Sequence, residues 1–299
     1  MVSREGQKIG SIKTFIERLE NLSLDKPSDA VFYFRGHSDH AEFKLEPSIY
    51  REKEWVKNEH RMFREIIMKC PNDFIGAKTA FEKLVKMQHY SLPTRLLDLT
   101  ENPLAALFFA VSSQPDKDAE VLIFKVSKKE VKYYDSDTVS ILSNIAKRPP
   151  EFDITQIKGK SKETFNGETQ ITYLLHEIKE EKPYFEPVIV AKDLESVICV
   201  KPKLDNPRII RQDGAFFIFG INNKKTIPAS IPETYRVTTE SYRLIINKSG
   251  KNKIVGQLAT LGINEASMFP EIDSVSKYIK QKLKKELTKA SSGRKKPRR

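Results

Sequence analysis

The residues best suited to chemistry lie in residues 88–98, where a histidine, an arginine and an aspartate interrupt an otherwise apolar stretch. Removing an unpaired charge from water is costly, so an ionisable group in such a stretch must be paired or functional. Residues 104–111, which follow, are all apolar and predict a central helix. The polar groups just upstream should therefore lie at the edge of the core, and we take His89 and Asp98 as candidate catalytic residues.

Two other apolar runs also end in polar side chains. Arg35 closes the run of residues 30–35 and is followed by Gly36, while Gln212 lies between two apolar runs in residues 206–220. A guanidinium offers a two-pronged fork to a phosphate, and a glycine beside it would let a ligand approach the backbone. Such positions are typical of places where core elements reach an open cleft. We predict that four residues converge on one pocket: Arg35, His89, Asp98 and Gln212.

Each of these residues also has a structural interpretation. Arg35 could form a buried ion pair with Asp98. Arg95 could pair with Asp98 or cap the following helix, and we favour a structural role for it. His89 could be a hydrogen-bonded core histidine, and Gln212 could satisfy backbone groups of a strand.

The elements that must position these residues follow from hydrophobic periodicity. β-Branched and aromatic runs predict strands at residues 30–35, 95–99, 119–126, 196–201, 209–219 and 241–246. Apolar spacing of three and four predicts helices at residues 9–22, 54–70, 79–87, 104–111, 137–145, 171–180, 250–261 and 274–287. Because the strands do not alternate regularly with helices, the predicted fold is α+β, with a mixed, largely antiparallel core sheet surrounded by helices.

Composition limits the function classes. The chain has 299 residues, 39% of them hydrophobic, and a net charge of +12, of which +8 falls within residues 282–299. This basic tail suggests a nucleic-acid partner. Cys70 and Cys199 lie far apart, which predicts neither a disulfide scaffold nor a metal site. With no signal core and no run of about 18 apolar residues, we expect a cytoplasmic protein without a membrane partner.

Several blocks of residues together resemble the FRG domain family. The resemblance rests on these blocks, in the family's order: Phe34, Arg35 and Gly36; Gln88, His89 and Tyr90; residues 92–98; Pro103, Ala106, Leu107, Phe109 and Ala110; Arg208, Gln212, Gly214 and Phe216; Gly262, Ile263, Phe269 and Pro270. It implies one FRG-type catalytic domain over residues 1–287. We expect a mobile polar surface insertion near residues 149–167 and a disordered tail at residues 288–299.

The opening aromatic-Arg-Gly motif is similar to that of the ADP-ribosyltransferase fold. In that fold such an arginine grips a phosphate of NAD, a second motif lies beside the nicotinamide, and a late acidic residue stabilises the transition state. The similarity implies a cofactor-binding set of Arg35, Gly36, Tyr90 and Thr94. It implies a catalytic set of His89, Asp98, Gln212 and Glu271. For the acid, the sequence leaves Glu265, Glu271, Asp98 and Gln212 open.

The resulting functional prediction is an ADP-ribosyltransferase-like toxin or anti-phage defence effector that uses NAD as a substrate. Its expected acceptor is nucleic acid, with RNA ahead of DNA because unpaired bases enter a cleft readily. The toxin hypothesis also implies an inhibitory antitoxin-type protein as a partner. Two alternatives are a non-catalytic nucleic-acid-binding module and a transferase acting on protein. A hydrolase using His89 and Asp98 is disfavoured, because the chain lacks the usual hydrolase motifs.

Overall fold

A seven-stranded sheet organises the part of the chain that the computed structural model describes, which is residues 8–23, 29–237, 243–272, 274–280 and 283. Its strands, in chain order, are β1 (Ala30–His37), β2 (Leu96–Thr100), β3 (Ala119–Ser127), β4 (Lys132–Tyr133), β5 (Val197–Lys201), β6 (Gly214–Phe219) and β9 (Arg243–Ile246). Their spatial order is β4-β5-β6-β2-β1-β3-β9. Only the β4–β5 pairing is parallel. The predicted α+β class with a mixed, largely antiparallel sheet is confirmed.

A small hairpin and the helices complete the described architecture. The hairpin consists of β7 (Ile221–Asn222) and β8 (Lys224–Pro228), which the sequence reasoning did not predict. The helices are α1 (Ile12–Ser23), α2 (Lys53–Lys69), α3 (Pro71–Phe74), α4 (Ala80–His89), α5 (Pro103–Val111), α6 (Asp137–Asn144), α7 (Lys162–Gly167), α8 (Thr169–Glu181), α9 (Ala191–Leu194), α10 (Pro207–Arg211), α11 (Lys251–Thr260) and α12 (Glu265–Met268). Residues 274–280 are also helical. No described helix is long and apolar enough to cross a membrane.

Helix α5 is central, as its uniformly apolar sequence predicts. Six of its nine residues are buried, and the Asn102 side chain caps its first turn by accepting from the backbone N–H groups of Leu104 and Ala105. The helix packs directly on β1 at Gly36, where an added Cβ would lie 2.0 Å from the carbonyl oxygen of Ala106. Gly36 is therefore required by helix packing; it also lines the cleft beside Arg35, and the predicted approach of a ligand there stays a prediction.

A buried charge cluster lies where β2 begins. Arg95 donates to both carboxylate oxygens of Glu59, at 3.0 and 2.6 Å, and to the carbonyl oxygen of Phe219. The Lys225 ammonium lies 3.2 Å from the same carboxylate. The structural role favoured for Arg95 is thus present, but its partner is Glu59 on α2 and not Asp98.

Three sequence predictions need correction or fall outside the described residues. Residues 209–219 are not one strand: Asn206 caps α10 by accepting from the Arg208 N–H, and β6 follows only after a turn in which Asp213 has a φ of 45°. Residues 149–167 are not simply a mobile surface insertion, because four side chains there are buried in the core: Phe152, Ile154, Ile157 and Phe165. The predicted tail at residues 288–299 lies outside the described residues.

Candidate functional site

The candidate site lies where β1 and β2 separate. These two neighbours are paired only between Phe34 and Thr100, although β1 continues to His37 and β2 starts at Leu96. Beyond that pair, Nη1 of Arg35 donates to the carbonyl oxygen of Asp98 at 2.6 Å, which satisfies a backbone group that the divergence would leave unpaired. A cleft of about 310 Å³ opens here, within the usual size range for small-ligand sites.

Arg35 lies on the floor of this cleft with 14% of its side chain exposed. Its Nε donates to Nε2 of His37 at 2.9 Å, and its Nη1 lies 3.8 Å from Oδ2 of Asp98. Burial lowers the pKa of Arg35 and the Asp98 carboxylate opposes that shift, so the guanidinium remains charged at neutral pH. Among the described residues, none accepts a hydrogen bond from Nη2, which is therefore available to a ligand.

Arg208 supplies a second guanidinium to the same cleft. It stacks on the Phe269 ring at 4.7 Å from the ring centroid, and its Nη1 donates to the carbonyl oxygen of His89 at 3.3 Å. Its Nε and Nη2 have no acceptor within the described ranges. Sequence reasoning did not include Arg208 in the site, although it belongs to the same block of the family resemblance as Gln212. Two guanidinium groups with unused donors make this cleft suited to an anion.

Asp98 contributes the exposed carboxylate of the cleft, with 56% of its side chain accessible. Gln88 holds it by donating from Nε2 to Oδ2 at 2.8 Å. Thr94 in turn donates its hydroxyl to Oε1 of Gln88 and is itself buried. Thr94, predicted to bind cofactor, therefore lies behind Gln88 and acts on the cleft only through that side chain.

His89 lies in a small recess that adjoins the cleft and shares Asp98, Arg208 and Gln212 with it. Its Nε2 is 3.0 Å from Oε1 of Glu271, and its Nδ1 faces the Asn206 amide at 3.4 Å. Burial and the charge of Arg208 lower the pKa of His89, while Glu271 raises it. Both ring nitrogens of His89 thus face protein groups, but neither carboxylate oxygen of Glu271 has a hydrogen-bond partner among the described residues.

The remaining predicted site residues divide between wall and surface. Gln212 lines the cleft, but its amide donates to the carbonyl oxygen of Met268 at 2.8 Å and thereby holds the wall in place. Tyr90 packs edge-on against His89, is 59% exposed and does not line the cleft, so the structure does not bring it together with Arg35. Glu265 lies 3.9 Å from Lys277, outside the cleft lining.

The structure thus brings Arg35, Asp98 and Gln212 to one cleft, whereas His89, predicted for the same pocket, lies in the adjoining recess. Their chemical roles stay a prediction. Sequence reasoning missed His37 and Glu120, which lie behind Arg35; the signal was a carboxylate within the apolar run of β3. Within the described ranges, no group of three or more His, Cys, Asp or Glu side chains could hold a metal ion.

Comparison with known proteins supports a family assignment for part of the chain. Residues 30–119 match the family model of the FRG domain. This stretch runs from β1 to the first residue of β3 and includes Arg35, His89 and Asp98, whereas Arg208 and Gln212 lie beyond it. No curated protein and no solved structure gives a significant match. The chain therefore contains an FRG domain at residues 30–119.

Proposed function

We propose that the cleft between β1 and β2 is the active site of an ADP-ribosyltransferase that uses NAD as a substrate. The observation that carries this proposal is the presence of Arg35 and Arg208, each with unused guanidinium donors, in one cleft with an exposed carboxylate. NAD presents a pyrophosphate, which suits two guanidinium forks, and a glycosidic bond whose cleavage develops positive charge.

The cleft walls suit the rings of a dinucleotide. Four phenylalanines line it together with the two arginines: Phe34, Phe43, Phe109 and Phe269. Aromatic rings prefer offset or edge-to-face contact with other planar rings, and such contacts orient a base or a nicotinamide. Phe269 is already fixed by Arg208 on its face and by Phe109 at its edge, with ring centroids 5.9 Å apart.

Asp98 is the residue best placed to act on the reacting atoms. In the proposed reaction, the bond between the ribose C1′ and the nicotinamide nitrogen breaks, and nicotinamide leaves with the bonding electron pair. The Asp98 carboxylate stabilises the positive charge that develops on the ribose and accepts the proton released when an acceptor oxygen or nitrogen bonds to C1′. Of the open carboxylate candidates for the acid, Asp98 is favoured because it lines the cleft, whereas Glu265 and Glu271 do not.

The proposed acceptor is nucleic acid, with RNA ahead of DNA and protein as the runner-up. Its support is the charge of +8 within residues 282–299, since a basic segment raises encounter rate and non-specific affinity for phosphate backbones. In this proposal the protein is a toxin or an anti-phage defence effector, which would call for an inhibitory protein partner. The cleft itself gives a second candidate function, an anion-binding module without catalysis, because two arginines can hold a phosphate without reacting.

Consumption of NAD separates these functions. The purified protein is incubated with NAD labelled on its adenylate phosphate together with RNA, DNA or cell protein, and released nicotinamide and transferred label are measured. We expect transfer by the native chain and none by Arg35→Ala or Asp98→Asn, while Arg61→Ala, an exposed arginine on α2, behaves like the native chain. Binding of ADP-ribose without nicotinamide release would favour the binding module.

Deletion of residues 288–299 tests the acceptor. We expect weaker labelling of nucleic acid by the shortened chain at moderate salt, with nicotinamide release unchanged. Unchanged labelling at both low and moderate salt would show that these residues do not recruit the acceptor. Label found on protein alone would identify protein, and not nucleic acid, as the acceptor.

A further inference from the structure

Arg35 is held from behind by a relay of side chains from three adjacent strands. Its Nε donates to Nε2 of His37 at 2.9 Å, and Nδ1 of His37 lies 3.0 Å from Oε1 of Glu120 on β3. The other carboxylate oxygen, Oε2 of Glu120, accepts from Nε of Arg243 on β9 at 2.6 Å. His37 and Glu120 are directly opposite in the β1–β3 register and are only 2% and 1% exposed.

The relay fixes the proton positions on His37. A guanidinium can only donate, so Nε2 of His37 must be unprotonated where it accepts from Arg35. The ring proton is then on Nδ1 and is donated to Glu120, which makes His37 a neutral imidazole in the Nδ1–H tautomer. The charged groups that face the ring are Arg35 on its own strand, Glu120 on β3 and Arg243 on β9.

These contacts fix the orientation of the Arg35 guanidinium. Nε is occupied by His37 and one Nη1 hydrogen by the carbonyl oxygen of Asp98, so two anchors fix the plane of the guanidinium, and Nη2 with the second Nη1 hydrogen remains for a ligand. An arginine without such anchors would lose rotamer freedom on binding, and that loss would weaken its grip. A buried His–Glu pair is costly to desolvate, and in this pair His37 lines the cleft beside Arg35.

We propose that His37, oriented by Glu120, is the positioning residue that aims the Arg35 guanidinium at a ligand phosphate. The inference rests on the proposed function, because it presumes that the cleft takes the pyrophosphate of NAD. It adds to the site His37, which lines the cleft beside Arg35, and Glu120, which holds His37; through Arg35 the two set how tightly the ligand is held.

Two conservative variants of His37 distinguish positioning from stability. In His37→Gln the side-chain carbonyl reaches the place of Nε2 and can still accept from Arg35. In His37→Asn the polar atoms reach only the place of Nδ1, so the contact with Glu120 is kept and the contact with Arg35 is lost. We expect binding of ADP-ribose, measured by titration calorimetry, to weaken about tenfold or more in His37→Asn, the scale of one lost hydrogen bond to a charged group. His37→Gln should restore most of the affinity, and circular dichroism should show both variants folded.

The outcomes separate the two proposals. If the native chain binds ADP-ribose, Arg35→Ala loses it and His37→Asn binds like the native chain, the positioning inference is overturned while the proposed function stands. If the native chain does not bind ADP-ribose, or Arg35→Ala binds it equally well, the proposed function fails and the inference fails with it.

A measurement on the native chain tests the same inference without depending on the affinity of any variant. Nitrogen-15 NMR of the histidine rings, with the His37 signals identified by their absence from the His37→Gln spectrum, reports which ring nitrogen carries the proton. We expect the Nδ1–H tautomer at neutral pH. A proton on Nε2 would overturn the relay whatever the ligand data show.

Discussion

Arg95 and Arg35 lie at neighbouring strands of the same sheet and differ in how completely their guanidinium groups are paired. Arg95 has no exposed surface, and all of its nitrogens donate to Glu59 or to the carbonyl oxygen of Phe219. Arg35 is anchored at Nε and Nη1 only, and the strands that flank it have separated. Complete pairing marks a residue that holds the fold, and incomplete pairing beside an open cleft marks a candidate for binding.

The carboxylates that face the two arginines differ in the same way. Burial alone would raise the pKa of the Glu59 carboxyl, but Arg95 and Lys225 bring it below its ordinary value, so a complete set of charges is kept inside the core. Burial also lowers the pKa of Lys225, to about 8, and Glu59 opposes that shift. Asp98 instead remains more than half exposed. A ligand can reach Asp98, whereas none can reach Glu59.

The largest expected effect is on stability at the buried cluster. Arg95→Ala should lower the free energy of unfolding by about 3–5 kcal/mol, because it removes the main partner of a buried carboxylate. Urea denaturation measures the change, and Arg61→Ala on the exposed face of α2 should stay within about 0.5 kcal/mol of the native chain. A cost below about 1 kcal/mol would mean that the Glu59 cluster is not what holds α2 to the sheet.

The next effect is on binding at the cleft. Arg35→Ala should weaken ADP-ribose binding by about 10- to 150-fold, the equivalent of about 1.5–3 kcal/mol for lost hydrogen bonds from a charged group. Its free energy of unfolding should change less than that of Arg95→Ala. Arg35→Lys keeps the charge without the planar fork and should recover little of the affinity. Equal loss of stability in Arg35→Ala and Arg95→Ala would place both arginines in the structural class.

Gly36 tests how closely helix packing constrains the residue beside Arg35. Gly36→Ala should destabilise the protein by about 1–3 kcal/mol, because its Cβ would meet the α5 backbone at Ala106. Gly256→Ala in α11, where no atom lies within 4 Å of the added carbon, should leave stability unchanged or raise it by about 0.5–1 kcal/mol. Thermal unfolding of the pair gives the comparison, and equal melting temperatures would contradict the close approach of α5.

The smallest expected effect is a dependence of stability on pH in the range where histidine titrates, which His37 gives to the cleft. Burial lowers the pKa of His37 and Arg35 lowers it further, although Glu120 opposes the shift. The unfolded chain therefore binds a proton, near pH 6.5, that the folded chain takes up only at lower pH. The free energy of unfolding should fall as the pH decreases from about 6.5, and the fall should be smaller in His37→Gln. A slope that is the same in both proteins would show that His37 does not titrate in this way.

Local sequence patterns were sufficient to predict most strands of the sheet, including β1 and β2, between which the cleft opens. The apolar runs of β1, β2, β3 and β5 and the uniformly apolar α5 appear in the structure close to their predicted bounds. Residues 209–211 were predicted as part of a strand because their apolar residues outweighed the helix-start signal of Asn206 and Pro207. The packing of residues 149–167 was missed because their buried residues are dispersed among polar ones.

The sequence by itself determined that Arg35 lies in a core strand near its end, that Asp98 interrupts another, and that α5 must be buried, because these features depend on neighbours in the chain. Only the tertiary structure decided which side chains contact the arginines. Arg95 faces Glu59, Arg35 faces His37, and Arg208 lies on Phe269, because strand order and helix packing bring these residues together. Residue types give the number of donors on an arginine, but only the fold sets how many of them the protein itself satisfies, and the donors left over define the candidate site.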